Sequence, residues 1–195
     1  MPDGVKSAVV ADLRNGLRLT RFVPHRTVSD AEVADRSQEL SFGVNAAGFG
    51  VGGKGYEPRP YEPGRLDRKL TLGTAEQWVL TSPGGSHPYH IHVNPFEIVE
   101  ILDPSGKDVS AAGASDGADP QYPGLKGAWK DTLWVKRGYT LKVRTRYERY
   151  IGEFVLHCHI LDHEDKGMMQ NVAIVLPGGT PASVNAPPEN GHSSH

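Results

Sequence analysis

The feature that most limits the fold of this chain is the distribution of its apolar residues, which come in short alternating runs cut off by glycine or proline. Glu39-Leu-Ser-Phe-Gly-Val44 and Tyr139-Thr-Leu-Lys-Val-Arg-Thr145 carry apolar side chains at every second position. Side chains along a strand point to opposite faces with a period of two, so such runs make half-buried strands rather than one face of a helix. Leu40, Phe42 and Val44 are expected on one face. Leu141 and Val143 are expected inward, with Lys142 and Arg144 outward. Shorter strand signals fall at 69–72, 76–80, 96–102, 131–135, 152–158 and 171–176. With 23 glycines and 15 prolines to form turns, the pattern predicts roughly seven or eight short strands in an all-β, antiparallel β-sandwich.

The remaining segments punctuate that pattern. Residues 1–37 read as a linker or lead-in with one helical turn, because Ser29 and Glu32 form the Ser-x-x-Glu of a capping box. A single domain is expected over 38–177. Within it, the glycine-rich residues 48–55 read as a loop, and 103–127 as a long surface excursion. Residues 178–195, rich in Pro, Ser, Asn and Gly, are expected to be a disordered tail.

Composition excludes several function classes. The formal net charge is −2 and the lysines and arginines are scattered, so no nucleic-acid partner is expected. No apolar stretch approaches the ~20 residues of a membrane span. The opening Met1-Pro-Asp-Gly-Val-Lys6 lacks the basic-then-apolar pattern of a secretory signal peptide. A single cysteine, Cys158, makes an internal disulfide impossible.

Chemistry concentrates in two segments. Six of the nine histidines lie at 87, 90, 92, 157, 159 and 163, and the only cysteine sits between two of them. Histidine with thiolate is ligand chemistry suited to copper, zinc or iron. Structural zinc sites generally use close cysteine pairs, which are absent here. If 157–159 is extended, Cys158 points one way and His157 and His159 the other. One metal could then sit on the cysteine side and a second cluster on the histidine side. By the same alternation His90 and His92 share a face. A turn after Cys158 could bring His163 and Met168 back to the sulfur beside His87, giving a trigonal site with a long axial Met, the blue-copper arrangement. His25, His192 and His195 read as loop and tail residues.

His87-Pro-Tyr-His-Ile-His92 followed by Phe96, and His157-Cys-His-Ile-Leu-Asp-His-Glu-Asp-Lys-Gly-Met168, resemble the C-terminal cupredoxin domain of laccase-like multicopper oxidases. Leu72-Gly-Thr-Ala-Glu-Gln-Trp78 and Trp129-Lys-Asp-Thr132 are similar to other strands of that domain. The resemblance implies a Greek-key, plastocyanin-like sandwich. It implies type 1 copper on His87, Cys158, His163 and Met168, type 2 copper on His90, and type 3 copper on His92, His157 and His159. It also implies a proton-relay role for Glu164. In that family, a small-molecule or metal-ion donor gives single electrons to type 1 copper, dioxygen is reduced to water at a trinuclear cluster, and the location is periplasmic or extracellular. The cluster needs four His-x-His pairs and this sequence holds two. An N-terminal oxidase half or another subunit is therefore expected as a partner. The alternative is a single-copper electron-transfer protein derived from such an oxidase.

Overall fold

The alternation over 140–146 becomes strand β10 (Thr140–Arg146), in which Leu141, Val143 and Thr145 are buried and the residues between them are half-buried. Fully burying such Leu and Val side chains contributes about 1.5–3 kcal/mol each. The computed structural model describes residues 10–11, 14–16, 25–118 and 120–179. The expected tail, 178–195, thus lies outside the described residues from 180 onward, as does most of 1–24.

Two sheets form the sandwich. In the larger, β10 is flanked by β5 (Ala75–Thr81) and β7 (Phe96–Leu102). Beyond β5 lie β1 (Ser37–Asn45), β2 (Gly48–Gly53) and β3 (Tyr56–Arg59), and beyond β7 lies the two-residue β8 (Trp129–Lys130). The smaller sheet runs β4 (Leu66–Thr71), β12 (Met169–Val175), β11 (Gly152–Cys158), β6 (His87–Ile91), β9 (Thr132–Val135). One core joins their inner faces, with Phe42, Trp78, Leu80 and Ile98 from the first and Tyr89, Leu156, Cys158 and Val172 from the second. The helices α1 (Asp30–Val33) and α2 (Leu161–Asp165) are short, and no helix among the described residues is long and apolar enough to cross a membrane.

The all-β sandwich is as expected, with two corrections and one addition. It is not purely antiparallel: β1 runs parallel to β5, and β12 parallel to β4. Alternation specifies which face a side chain takes, not the direction of the neighbouring strand. Secondly, the glycine-rich segment taken as a loop is β2, hairpin partner of β1, with Phe42 opposite Val51 and Val44 opposite Phe49. Gly50 and Gly52 answer to close packing rather than to a turn, for a Cβ on Gly50 would lie 2.5 Å from the Arg59 backbone and one on Gly52 2.9 Å from the Pro58 nitrogen. At the turn end of this hairpin Val44 is 59% exposed. Thirdly, the long segment 103–127, though mostly exposed, is anchored in the fold. Val109, Ser110 and Tyr122 are buried. The Tyr122 hydroxyl donates to the Trp134 carbonyl at 2.7 Å, and Asp116 accepts from Lys136 Nζ at 2.7 Å and from the Tyr139 hydroxyl at 2.9 Å.

The capping box on α1 forms as read from the sequence, with Ser29 and Glu32 bonded reciprocally. This segment is fastened to the outer face of the larger sheet. Arg144 donates to the Val28 carbonyl and Arg146 to the Arg26 and Thr27 carbonyls, each at 2.9 Å. Glu97 accepts from the Val28 amide at 2.8 Å, while Val28 and Val33 pack on Ala75.

Candidate metal centre

Strand pairing brings the two histidine-rich segments together. β6 and β11 are antiparallel neighbours, with Cys158 opposite Tyr89 and His157 opposite His90. In β6, His87, Tyr89 and Ile91 face the core and are buried, whereas Pro88 and His90 are half-buried on the other side. The alternation argument therefore holds: Cys158 and His87 turn inward, and His157, His90 and His92 gather on the opposite face.

The inward group is closed by α2, a single turn whose backbone folds back after Ile160 and delivers His163. The Met168 amide donates to the His163 carbonyl at 2.9 Å, and the Cys158 amide to the Met168 carbonyl at 3.0 Å. Met168 is fully buried in the same core as Cys158. The donor atoms converge: His87 Nδ1 lies 3.1 Å from His163 Nδ1, and Cys158 Sγ lies 3.5 Å from the first and 3.6 Å from the second. A point equidistant from three atoms so spaced lies about 2 Å from each, close to ordinary metal–nitrogen and metal–sulfur bond lengths. Two imidazole nitrogens, a thiol and a buried thioether form a donor set of the copper type, so the residues present fit the metal that the chemistry implies.

Without metal, the pocket holds His87 and Cys158 neutral. Burial, then the neighbouring His163, lowers His87 from 6.5 to about 4. Burial also pushes the Cys158 thiol up to about 11. Neutral imidazole is the form that binds a metal; the thiol must lose its proton to do so.

On the outward face, one donor nitrogen from each of His90, His92 and His157 lies within 4.8 Å of the others. His92 Nε2 and His157 Nε2 are 3.2 Å apart. The ring of His159, an exposed residue, lies 5.4 Å from that of His90 and 5.5 Å from that of His157. Two of these rings are oriented from behind. His90 Nδ1 sits 3.0 Å from the Asp131 carbonyl and 2.9 Å from Thr132 Oγ1. His157 Nδ1 sits 3.0 Å from both the Cys158 carbonyl and Glu164 Oε2. Donation from Nδ1 leaves each Nε2 lone pair facing the cluster, the usual way outer partners fix a ligating histidine. Burial, then His90 and His157, also lowers the His92 pKa.

Six of the eight candidate ligands thus fall in two groups, with Met168 buried in the core beside the first and the His159 ring 5.4 and 5.5 Å from two rings of the second. The sequence did not single out Asp131 and Thr132 as partners of His90, although Trp129-Lys-Asp-Thr132 stood out as a motif. Phe49, stacked on His163 with centroids 4.6 Å apart, lay in the segment taken for a loop.

The fold and the inward site define a copper-type β-sandwich protein, with a His-Cys-His pocket and a buried Met beside a histidine triad. The multicopper oxidase family matches residues 29–176, and the chain belongs to that family as its C-terminal cupredoxin domain. It is 37% identical over 115 residues to a laccase of Bacillus subtilis, covering 54% of this chain and 21% of that protein. To a bilirubin oxidase of Albifimbria verrucaria it is 34% identical over 116 residues, covering 58% of this chain and 18% of that one. The chain therefore spans about a fifth of the length of these curated relatives. Among solved structures, a laccase from Pediococcus acidilactici superposes with a TM-score of 0.57 at 22% identity, over 80% of this chain and 29% of that one. The McoA multicopper oxidase of Aquifex aeolicus gives 0.56 at 23%, over 80% and 32%.

Proposed function

We propose that this chain is the type 1 copper domain of a multicopper oxidase. It would couple one-electron oxidation of a small-molecule or metal-ion donor to four-electron reduction of dioxygen to water, with a partner unit completing the second copper site. The observation that carries this is the convergence of His87 Nδ1, His163 Nδ1 and Cys158 Sγ within 3.1 to 3.6 Å. In this reading His87, Cys158 and His163 hold type 1 copper, with Met168 as the axial ligand. His90 is a type 2 ligand, and His92, His157 and His159 are type 3 ligands. Bound copper supplies one-electron redox chemistry and, as a cluster of three, the reduction of dioxygen.

The residues do the rest. Cys158 is bonded through the backbone to both His157 and His159, so an electron arriving at its sulfur has a covalent path to the triad. Glu164 Oε2, 3.0 Å from His157 Nδ1, accepts that N–H. With its side chain 25% exposed, Glu164 can also exchange a proton with water, which supports a relay role. The other four histidines would come from an N-terminal oxidase half or another subunit.

Copper counting with electron paramagnetic resonance and oxygen uptake on the purified chain tests the proposal. One type 1 copper per chain alone, with oxygen uptake restored by a partner carrying two His-x-His pairs, is expected. One copper, with no gain in copper or turnover on adding such a partner, favours an electron-transfer protein. Absence of a type 1 signal would refute both.

A further inference from the structure

Neither inward imidazole has its second nitrogen hydrogen-bonded among the described residues, and His163 is the less buried of the two. Its only ring hydrogen-bond contacts among the described residues are from Nδ1, to His87 and Cys158. A ligating histidine normally has its second nitrogen held by a carboxylate, carbonyl or water, which fixes the plane of the ring. Among the described residues no protein group hydrogen-bonds His163 Nε2. The ring also sits on a short, half-buried turn rather than on a strand.

What meets the ring instead is Phe49, whose centroid lies 4.6 Å away with the planes 27° apart. Offset stacking of this kind holds aromatic planes in register and contributes on top of buried area. Lys166 Nζ in turn lies 5.4 Å from the centroid of the Phe49 ring. The register of the hairpin explains why Phe49 is there. Phe42 is paired with Val51, and Val44 with Phe49, so Phe42 and Phe49 project from the same face. Phe42 meets the other histidine, His87, with centroids 5.4 Å apart. The β1–β2 hairpin thus offers one aromatic ring to each imidazole of the pocket. The β3–β4 connection grips the turn's other end, where the Tyr61 amide donates to the Gly167 carbonyl at 2.8 Å. There is no room for a side chain at that contact, because a Cβ on Gly167 would lie 3.0 Å from Pro60 Cβ.

We propose that Phe49 is a positioning residue for His163, its ring setting the imidazole plane that a hydrogen bond sets elsewhere, so that the metal-free pocket is already shaped for copper. The inference rests on the type 1 reading of the inward site. Loss of an outer partner of a ligating histidine typically weakens metal binding by about 10–100-fold, and that is the effect expected from removing the ring.

The test uses the full chain, metal-free, with Phe49→Tyr, Phe49→Leu and Phe49→Ala. Copper(II) affinity is measured by titration of the thiolate-to-copper absorption, and the His163 ring-proton shifts by nuclear magnetic resonance. Phe49→Tyr keeps the ring and should bind as the wild type does. Phe49→Leu keeps apolar bulk without a ring; it and Phe49→Ala should bind about 10–100-fold more weakly and lose the upfield ring-current shift of His163. Wild-type affinity or an unmoved His163 shift in Phe49→Leu would overturn the proposal, and this comparison stands even where Phe49→Ala does not fold. If the wild type itself develops no thiolate-to-copper absorption, the copper reading fails. If it does and Phe49→Leu matches it, only the role of Phe49 fails.

Discussion

Acidification should unfold the metal-free chain through His87. Burial and His163 lower this imidazole from 6.5 to about 4 in the fold, whereas in the unfolded chain it titrates near its ordinary value. The folded state therefore refuses a proton that the unfolded state accepts across that window. Stability is full above about pH 6.5 and is lost progressively as pH falls towards about 4. By linkage, the loss between about pH 8 and about pH 5 amounts to about 2 kcal/mol. For a domain of this size that moves the urea midpoint by about 1 M. The assay is urea denaturation of the metal-free chain across this range, beside His87→Gln, which cannot titrate. The variant should have the shallower profile, the difference in slope giving His87's share. Saturation with a metal should steepen the wild-type profile, because the ligated nitrogens and thiolate take no proton in the folded state while the unfolded chain still does. Equal pH dependence in wild type and His87→Gln would refute the claim that this buried imidazole is held neutral.

Burial pushes the Cys158 thiol up to about 11, so copper uptake near neutral pH should release about one proton from that sulfur. Calorimetry in buffers of different ionisation enthalpy measures it, and Cys158→Ser should lose both the proton release and the intense blue absorption. Met168→Leu should raise the potential of the site by removing the axial sulfur; a redox titration showing no rise would count against Met168 as a ligand. Tyr147→Phe should cost about 1–3 kcal/mol in chemical denaturation, because it strands the buried Trp78 indole N–H that now donates to the Tyr147 hydroxyl at 2.9 Å.

Alternation was legible wherever it was strict. β10 obeys it residue by residue, and the split between Cys158 and its flanking histidines follows from the same period of two. Face assignments survived because they depend on covalent geometry alone. What depends on a distant segment was not legible. The glycines of β2 look like those of a loop until β3 is placed against them, since a glycine required by a close backbone approach carries the same letter as one required by a turn. The segment that buries Tyr122 likewise gives no periodic signal. It is held by single polar contacts, Tyr122 to the Trp134 carbonyl and Asp116 to Lys136 and Tyr139, rather than by a repeated face. Parallel pairing of β1 with β5 is set by sheet order, on which a strand's own residues are silent.

These limits bear unequally on the two halves of the site. The inward pocket draws on five segments: β6, β11, α2, the β1–β2 hairpin and the β3–β4 connection that meets Gly167. All lie within this chain, so its geometry can be complete here. The outward triad has His92 exposed, His90 half-buried and His157 buried, with His159 exposed beside it, and two of its rings have outer partners in place. His90 is backed by Asp131 and Thr132, and His157 by Glu164. A protein that carried single electrons through the inward site would have no use for imidazoles held with Nε2 turned outward, and exposed histidines without a ligand gain little from being ordered, since fixing a side chain costs conformational entropy. In the proposed reading, the backing of half-buried His90 and buried His157 suits a surface that receives the remaining ligands from another unit.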